Sequence, residues 1–232
     1  MEKKIITISR EFGSGGRTVG KRVAELLDIP YYDKELVKRV AVETGFDEKF
    51  IEQQGEYASP LNNLLSYAFA DRGMHHSMNG LSADDLLWAI QCKVILELAD
   101  KGPCVIVGRC ADYILRERED TLNVFIHASE LHRAMRLQAK TGITDATELQ
   151  KLMAKHDSSR RAYYAHYTGK QWGDSHNYHL TLDSGALGYD LCVKLICEAA
   201  KAGGNRLSTY CNPVSCPFAK GYYDKVESVI FD

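Results

Sequence analysis

Lys4-Ile-Ile-Thr-Ile-Ser-Arg-Glu-Phe-Gly-Ser-Gly-Gly-Arg-Thr18 is the stretch that decides the fold. Its apolar first half predicts a buried strand over residues 4–9, and the glycines that follow predict a tight turn before a helix. In such a turn the backbone N–H groups curl around an anion, and the helix adds the positive end of its dipole. The sequence therefore predicts a phosphate-binding loop, formed by Gly13, Ser14, Gly15, Gly16, Arg17 and Thr18.

The loop fits the P-loop pattern G-x-x-x-x-G-K-[ST] in two registers. In the first, Gly16-Arg17-Thr18 takes the last three positions, with arginine in place of lysine. In the second, a later glycine and Lys21 fit, but an arginine replaces the hydroxyl residue. Helical spacing of apolar residues begins at Val19, so the turn must close before it, which favours the first register. Arg17 is then the phosphate cation and Thr18 the candidate ligand of Mg²⁺.

Two other interpretations of the glycines stay open. Gly13-Ser-Gly15 also opens a dinucleotide-binding G-x-G-x-x-G fingerprint, and Asp33 lies about 20 residues further on, as that fingerprint requires. Thr18, however, stands where the third glycine belongs. The other alternative is a glycine turn with a purely structural role.

The composition limits the classes of protein and partner. A chain of 232 residues with 45% apolar residues predicts one main domain with insertions. A net charge of −2 gives no general attraction to a nucleic acid polymer or a membrane, so anion binding must come from local arginines. No apolar run approaches the ~20 residues of a membrane span. We expect a cytoplasmic protein with reduced thiols, while its oligomeric state stays open.

Alternating strand and helix patterns predict an α/β fold, a parallel β-sheet flanked by helices on both faces. The predicted strands cover residues 4–9, 29–33, 104–107, 122–127 and 179–183. Residues from about 47 to 101 lack a strand pattern and predict a helical insertion, and Asp145 with Glu148 predicts the start of a long helix. The predicted domain covers residues 1–201, and the role of the tail, 202–232, stays open.

Charged residues recur where the predicted strands end, at the sheet edge where open parallel sheets bind ligands. Asp33 ends the second strand and Arg109 follows the third. Two later helices carry further charges: Arg133, Arg136, Asp157, Arg160 and Arg161. Each of these alone is typical of a solvated, intrahelically paired charge. Together with the glycine loop they predict a lid over a triphosphate, since phosphoryl transfer needs positioned cations rather than a protein nucleophile.

These motifs resemble the cytidylate kinase-like branch of the P-loop nucleoside monophosphate kinases, from the first strand to about residue 201. The resemblance is carried by residues 9–18, Tyr31-Tyr-Asp-Lys-Glu35, Val107-Gly-Arg-Cys-Ala-Asp112, Lys155-His-Asp157, Arg160-Arg-Ala-Tyr-Tyr164, Thr168-Gly-Lys-Gln-Trp-Gly-Asp174 and Asn177-Tyr178. It implies ATP with Mg²⁺ as donor, a helical monophosphate-binding insertion at about 47–101 and an arginine lid at about 133–176.

The resemblance also implies roles for single residues. The implied acceptor-binding residues are Asp33, Arg39, Arg109, Asp112, Asp157 and Arg160. The implied catalytic cations are Arg17, Arg133, Arg136, Arg160 and Arg161. The expected activity is transfer of the γ-phosphoryl group of ATP to CMP, dCMP or a related small phosphorylated acceptor. Two alternatives stay open: a nucleotide sensor without turnover, and a kinase of a non-nucleotide metabolite.

Overall fold

Strands and helices alternate along the chain. The structure, a computed structural model, describes residues 4–33 and 83–202. The described elements are β1 (Ile5–Arg10), α1 (Gly16–Leu27), β2 (Tyr31–Tyr32), α2 (Ala83–Lys101), β3 (Cys104–Val107), α3 (Ala111–Ile114), β4 (Thr121–His127), α4 (Glu130–Thr141), α5 (Ala146–Thr168), a short 3₁₀ turn (Ser175–Asn177), β5 (Leu180–Asp183) and α6 (Ser184–Lys201). Of the predicted insertion, the residues before Ala83 lie outside the described part, as does the tail from residue 203.

The five strands form one parallel sheet in the order β2-β3-β1-β4-β5. β1 lies at the centre, and its Ile8 pairs with Val107 of β3 and Val124 of β4. Because parallel strands share a direction, their carboxyl ends meet at one edge, which we call the rim. The α/β fold predicted from the sequence is confirmed.

The two faces of the sheet are covered by different helices. Ile6 and Ile8 are completely buried in a cluster that includes side chains of α1 and α6. Ile5 points the other way, into a cluster built largely from α2. Successive side chains of a strand face opposite sides, so an unbroken apolar run is what a sheet covered on both faces requires.

Side chains at their first residues fix where the later helices begin. Asp145 accepts the Thr147 N–H at 2.8 Å and so begins α5, which confirms the predicted cap. Asp183 accepts the Gly185 N–H at 2.9 Å in the same way. This cap explains why α6 starts at Ser184, three residues before the periodic apolar pattern that predicted it. Each such cap contributes about 1 kcal/mol.

Within residues 4–33 and 83–202, no helix is both long and apolar enough to cross a membrane. The cysteines of these ranges are free thiols, and four of the five are buried. Burial raises the pKa of Cys104 to about 12, so this thiol stays protonated at neutral pH.

Candidate functional site

The predicted phosphate loop connects the carboxyl end of β1 to the start of α1. Gly13 and Gly15 both have φ of +85°, a left-handed conformation that glycine adopts without strain. The Ser14 hydroxyl points inward and lies 2.9 Å from the Glu11 carbonyl oxygen and 3.0 Å from that of Ile126. Ser14 therefore anchors the loop to β4 through its side chain.

The start of α1 differs from the starts of the long helices α4, α5 and α6. Its N-cap is Gly15, which has no side chain to accept an N–H, and its first turn contains no acidic residue. Among the described residues, nothing accepts the backbone N–H groups of Gly16, Arg17 and Thr18. Uncapped N–H groups at a helix start attract anions. The helix begins at Gly16, so the prediction that the turn closes before Val19 is confirmed.

Two glycines of the loop are also required by packing. A Cβ on Gly15 would lie 2.6 Å from the Tyr189 ring, and one on Gly16 would lie 2.5 Å from the Arg10 Cβ. Both distances are shorter than real Cβ contacts. Tyr189, in α6, therefore covers the loop, a role that the sequence analysis missed. The signal was weak: a second glycine-containing segment, Ser184-Gly-Ala-Leu-Gly188, directly after a predicted strand.

Arg17 and Asp33, both predicted site residues, contact each other at the rim. Arg17 Nε lies 2.8 Å from Asp33 Oδ2, and Arg17 Nη2 lies 3.3 Å from Oδ1, so the guanidinium engages both carboxylate oxygens. The Arg17 side chain is 52% exposed. Burial, reinforced by Asp33, raises the pKa of the neighbouring Tyr31 hydroxyl.

Arg136 of α4 reaches the loop from the other side. Its Nη2 donates to the Thr18 hydroxyl at 2.9 Å, and its guanidinium lies 5.8 Å from the centre of the Tyr189 ring. The oxygen predicted to bind Mg²⁺ therefore accepts a hydrogen bond from a cation. Among the described residues, no three acidic, histidine or cysteine side chains are grouped to hold a metal ion.

A second set of charges lies beneath the loop. We call Arg133, Asp157 and Arg160 the loop clamp, and each is less than one-tenth exposed. Asp157 Oδ1 accepts the Phe12 N–H at 2.8 Å, while Arg133 Nη1 donates to the Phe12 carbonyl oxygen at 3.2 Å. Arg160 Nη1 donates to the Arg10 carbonyl oxygen at 3.1 Å. These predicted lid residues thus bind the protein backbone in this structure.

Arg109 lies on an unusual turn at the end of β3. Gly108, Arg109 and Cys110 have φ of 77°, 59° and 53°, and left-handed conformations cost non-glycine residues about 1–2 kcal/mol each. The Arg109 carbonyl oxygen accepts a hydrogen bond from Gln91 Nε2 at 3.2 Å, and this buried amide also contacts the Tyr163 hydroxyl. Gln91 thus helps to fix the turn, and no sequence motif singled it out.

Asp112 lies in the first turn of α3 and is 4% exposed. The Tyr164 hydroxyl donates to its Oδ2 at 2.7 Å, and burial raises the pKa of this carboxyl group. Asp112 also lines a cavity of about 350 Å³ together with Thr121, at the opposite end of β4 from the loop. Its predicted role in acceptor binding stays a prediction.

Of the two remaining predicted arginines, only Arg161 lies among the described residues. Arg161 is exposed, and its guanidinium lies 6.0 Å from the centre of the Trp172 ring. Arg39 lies outside the described residues. The structure therefore brings Arg17, Thr18, Asp33 and Arg136 together around the upper side of the loop, and the loop clamp beneath it.

Comparisons with known proteins show the family to which the chain is similar. The sequence model of the cytidylate kinase-like family matches residues 5–186. A cytidylate kinase from Aeropyrum pernix is 26% identical over 199 residues, which cover 85% of this chain and 99% of that protein. The crystal structure of an uncharacterized protein from Eubacterium ventriosum is 28% identical, with a TM-score of 0.62, over 84% of this chain and 97% of that one. A shikimate kinase from Bacteroides thetaiotaomicron is 14% identical, with a TM-score of 0.46, over 84% of this chain and 97% of that one.

Proposed function

This chain belongs to the cytidylate kinase-like family, and we propose that it transfers the γ-phosphoryl group of ATP to CMP, dCMP or a related small phosphorylated acceptor. The observation that carries the proposal is the start of α1, a glycine turn with uncapped N–H groups, whereas α4, α5 and α6 have Ser or Asp caps. Such a helix start favours a bound phosphate chain.

The donor phosphates bind the N–H groups of the loop. Arg17, which is half exposed, and Arg136, which is half buried, neutralise their charge. Among the described residues, Arg17 pairs with the Asp33 carboxylate and Arg136 with the Thr18 hydroxyl, so each can exchange that partner for a phosphate oxygen without breaking the core. Charge spreads over the transferring group, and cations placed beforehand stabilise it.

Magnesium fits this site through hard oxygen donors. The Thr18 hydroxyl and the Asp33 carboxylate supply such oxygens, and in the described residues each of them contacts an arginine. Bound with ATP, Mg²⁺ would supply charge neutralisation at the phosphates. Arg136 would leave Thr18 when that ion is bound, because two cations compete for one oxygen.

The acceptor binds at the neighbouring strand ends. β2 and β3 are adjacent, and Tyr32 pairs with Ile106, so Asp33 and Arg109 follow neighbouring strands at the rim. We propose Arg109 and Arg39 for the acceptor phosphate, with Asp33 and Asp112 for its remaining polar groups. We assign the lid cation to Arg161. Its side chain is exposed and lies near the Trp172 ring, whereas the arginines of the loop clamp are buried.

The test is transfer from γ-labelled ATP to a panel of nucleoside monophosphates with full-length protein. We expect labelled product with CMP or dCMP, and a loss of at least about 100-fold in turnover for Arg109→Ala. Arg22→Ala is the matched control, since Arg22 is a half-exposed arginine that pairs with Asp190. No transfer to any monophosphate, with ATP still bound, would remove the CMP assignment and leave a non-nucleotide acceptor for metabolite profiling with labelled ATP.

A nucleotide sensor without turnover is the second candidate. It is favoured by the two-point contact of Arg17 with Asp33, which occupies the cation that replaces the usual lysine. ATP binding by calorimetry without transfer, unchanged in Arg17→Lys, would support this candidate. Appearance or increase of transfer in Arg17→Lys would instead favour the kinase.

A further inference from the structure

Asp157 has both of its carboxylate oxygens engaged by the protein. Oδ1 accepts the Phe12 N–H at 2.8 Å, and Oδ2 lies 2.5 Å from Arg133 Nη1. Arg160 Nη1 lies 3.6 Å from Oδ1. The residue is 7% exposed, and a ligand could reach either oxygen only by displacing Phe12 or Arg133.

Asp157 is part of the loop clamp, which holds Phe12 just before the glycines of the phosphate loop. Arg133 joins Asp157 to the Phe12 carbonyl oxygen and places its Nε 3.6 Å from Glu11 Oε2. The ion pair between Arg133 and Asp157 therefore binds both the N–H group and the carbonyl oxygen of Phe12. Stacking of the Phe12 ring on His156, with 4.0 Å between the ring centres, holds the same residue from the side.

The loop clamp also connects the predicted lid helices, α4 and α5, to the loop. Arg133 belongs to α4 and Asp157 to α5, and both contact a residue that immediately precedes the glycines. Gly13 packs against Arg133, because a Cβ on Gly13 would lie 3.1 Å from the Arg133 Cβ. A shift of either helix therefore changes the direction of the loop N–H groups.

We propose that Asp157 is a positioning residue that fixes the phosphate loop through Phe12 and Arg133, and not a residue that contacts the acceptor. It aims the loop N–H groups at the donor phosphates and makes their position depend on the lid helices. The kinetic consequence rests on the proposed function, whereas the structural consequence does not.

Asp157→Asn tests the proposal, because asparagine keeps the shape of the side chain but loses its charge, and its NH₂ group cannot accept from Arg133. The ion pair that holds Phe12 is then lost, and the contact with the Phe12 N–H group is weakened. We expect exchange of the Phe12 amide hydrogen, followed by NMR, to become roughly tenfold faster. By calorimetry, affinity for a non-hydrolysable ATP analogue falls about tenfold, with affinity for CMP unchanged. Asp190→Asn is the matched control. Asp190 is also a helical aspartate that pairs with an arginine, Arg22, but its side chain is exposed whereas that of Asp157 is buried.

The opposite split would overturn the proposal: weaker CMP binding, with ATP-analogue affinity and Phe12 exchange unchanged. Arg133→Lys is the second variant should Asp157→Asn not fold, because a lysine keeps the charge but cannot contact Asp157 and Phe12 together. The same loss of analogue affinity is expected of it, and normal affinity would count against the proposal. If the wild-type protein transfers no phosphoryl group, the proposed function fails, while exchange and analogue binding still decide the role of Asp157.

Discussion

The two sides of the phosphate loop carry the same residue type in different surroundings. Beneath the loop, Arg133 and Arg160 are buried and bind a carboxylate together with backbone carbonyl oxygens. Above it, Arg17 is half exposed and pairs with one carboxylate, and Arg136 holds one hydroxyl. A buried guanidinium cannot leave its partners without a large cost, whereas an exposed one exchanges them readily. Around the loop, burial therefore separates Arg133 and Arg160, which support it, from Arg17 and Arg136, which can exchange their partners for other anions.

Removing a supporting arginine should have the largest effect. Arg133→Ala leaves the buried carboxylate of Asp157 without its closest cation, which costs about 3–5 kcal/mol. Arg136→Ala, from the same helix, removes a single hydrogen bond to Thr18 and should cost about 1 kcal/mol. Denaturant unfolding of both variants measures the difference. Equal losses of stability would abolish the distinction between the two sides.

The glycines of the loop give the next effect. Gly15→Ala adds a methyl group against Tyr189 at a φ of +85°, and we expect a loss of about 2–4 kcal/mol. Gly142→Ala is the control for backbone strain alone, since its φ is +77° and nothing lies within 4 Å of the added Cβ. It should cost about 1–2 kcal/mol. Thermal unfolding of the two variants compares them, and a smaller loss at Gly15 would mean that Tyr189 moves aside easily.

The smallest effect separates two buried carboxylates. Asp157 is paired with arginines, whereas Asp112 is bonded to the neutral Tyr164 hydroxyl, and burial raises the Asp112 pKa. A raised pKa means that the folded state binds this proton more tightly than the unfolded state. Stability is therefore lost as the pH rises from about 4 through the raised pKa.

Asp112→Asn removes this loss, because asparagine stays neutral and can still accept from Tyr164. Relative to wild type, the variant should gain on the order of 1 kcal/mol as the pH rises through this window. Urea unfolding at a series of pH values gives the two curves. A constant difference between them at all pH values would show that Asp112 does not titrate differently in the folded and unfolded states.

Most of the fold could be predicted because its signals are local. The buried strands are continuous apolar runs, and the cap at Asp145 is readable from sequence. β2 is only two residues long and, among the described strands, lies at the end of the sheet order and pairs with β3. The start of α6 was misplaced because two glycines interrupt its apolar spacing, and Gly188 indeed breaks the helical dihedral angles with φ of 73°.

The residues of the candidate site could be listed from the sequence, but their different roles, structural support or accessible cation, could not. The sequence shows Arg133 and Arg136 three positions apart on one helix, which gives no indication that one is buried under the loop and the other contacts its upper side. That difference depends on the angle at which α4 crosses the loop. Tyr189 was missed for a similar reason, since 174 positions separate it from the glycine that it covers.

Contacts between the loop and α6 also determine how late in protein synthesis the site can form. The Ser184 hydroxyl lies 2.5 Å from the Ser14 carbonyl oxygen, across 170 positions of sequence. A ribosome adds about 5–20 residues per second, so the glycine turn waits roughly 10–35 s for the residues that complete it. Nucleotide can therefore stabilise the nascent chain only late, after β5 and the start of α6 have left the ribosome.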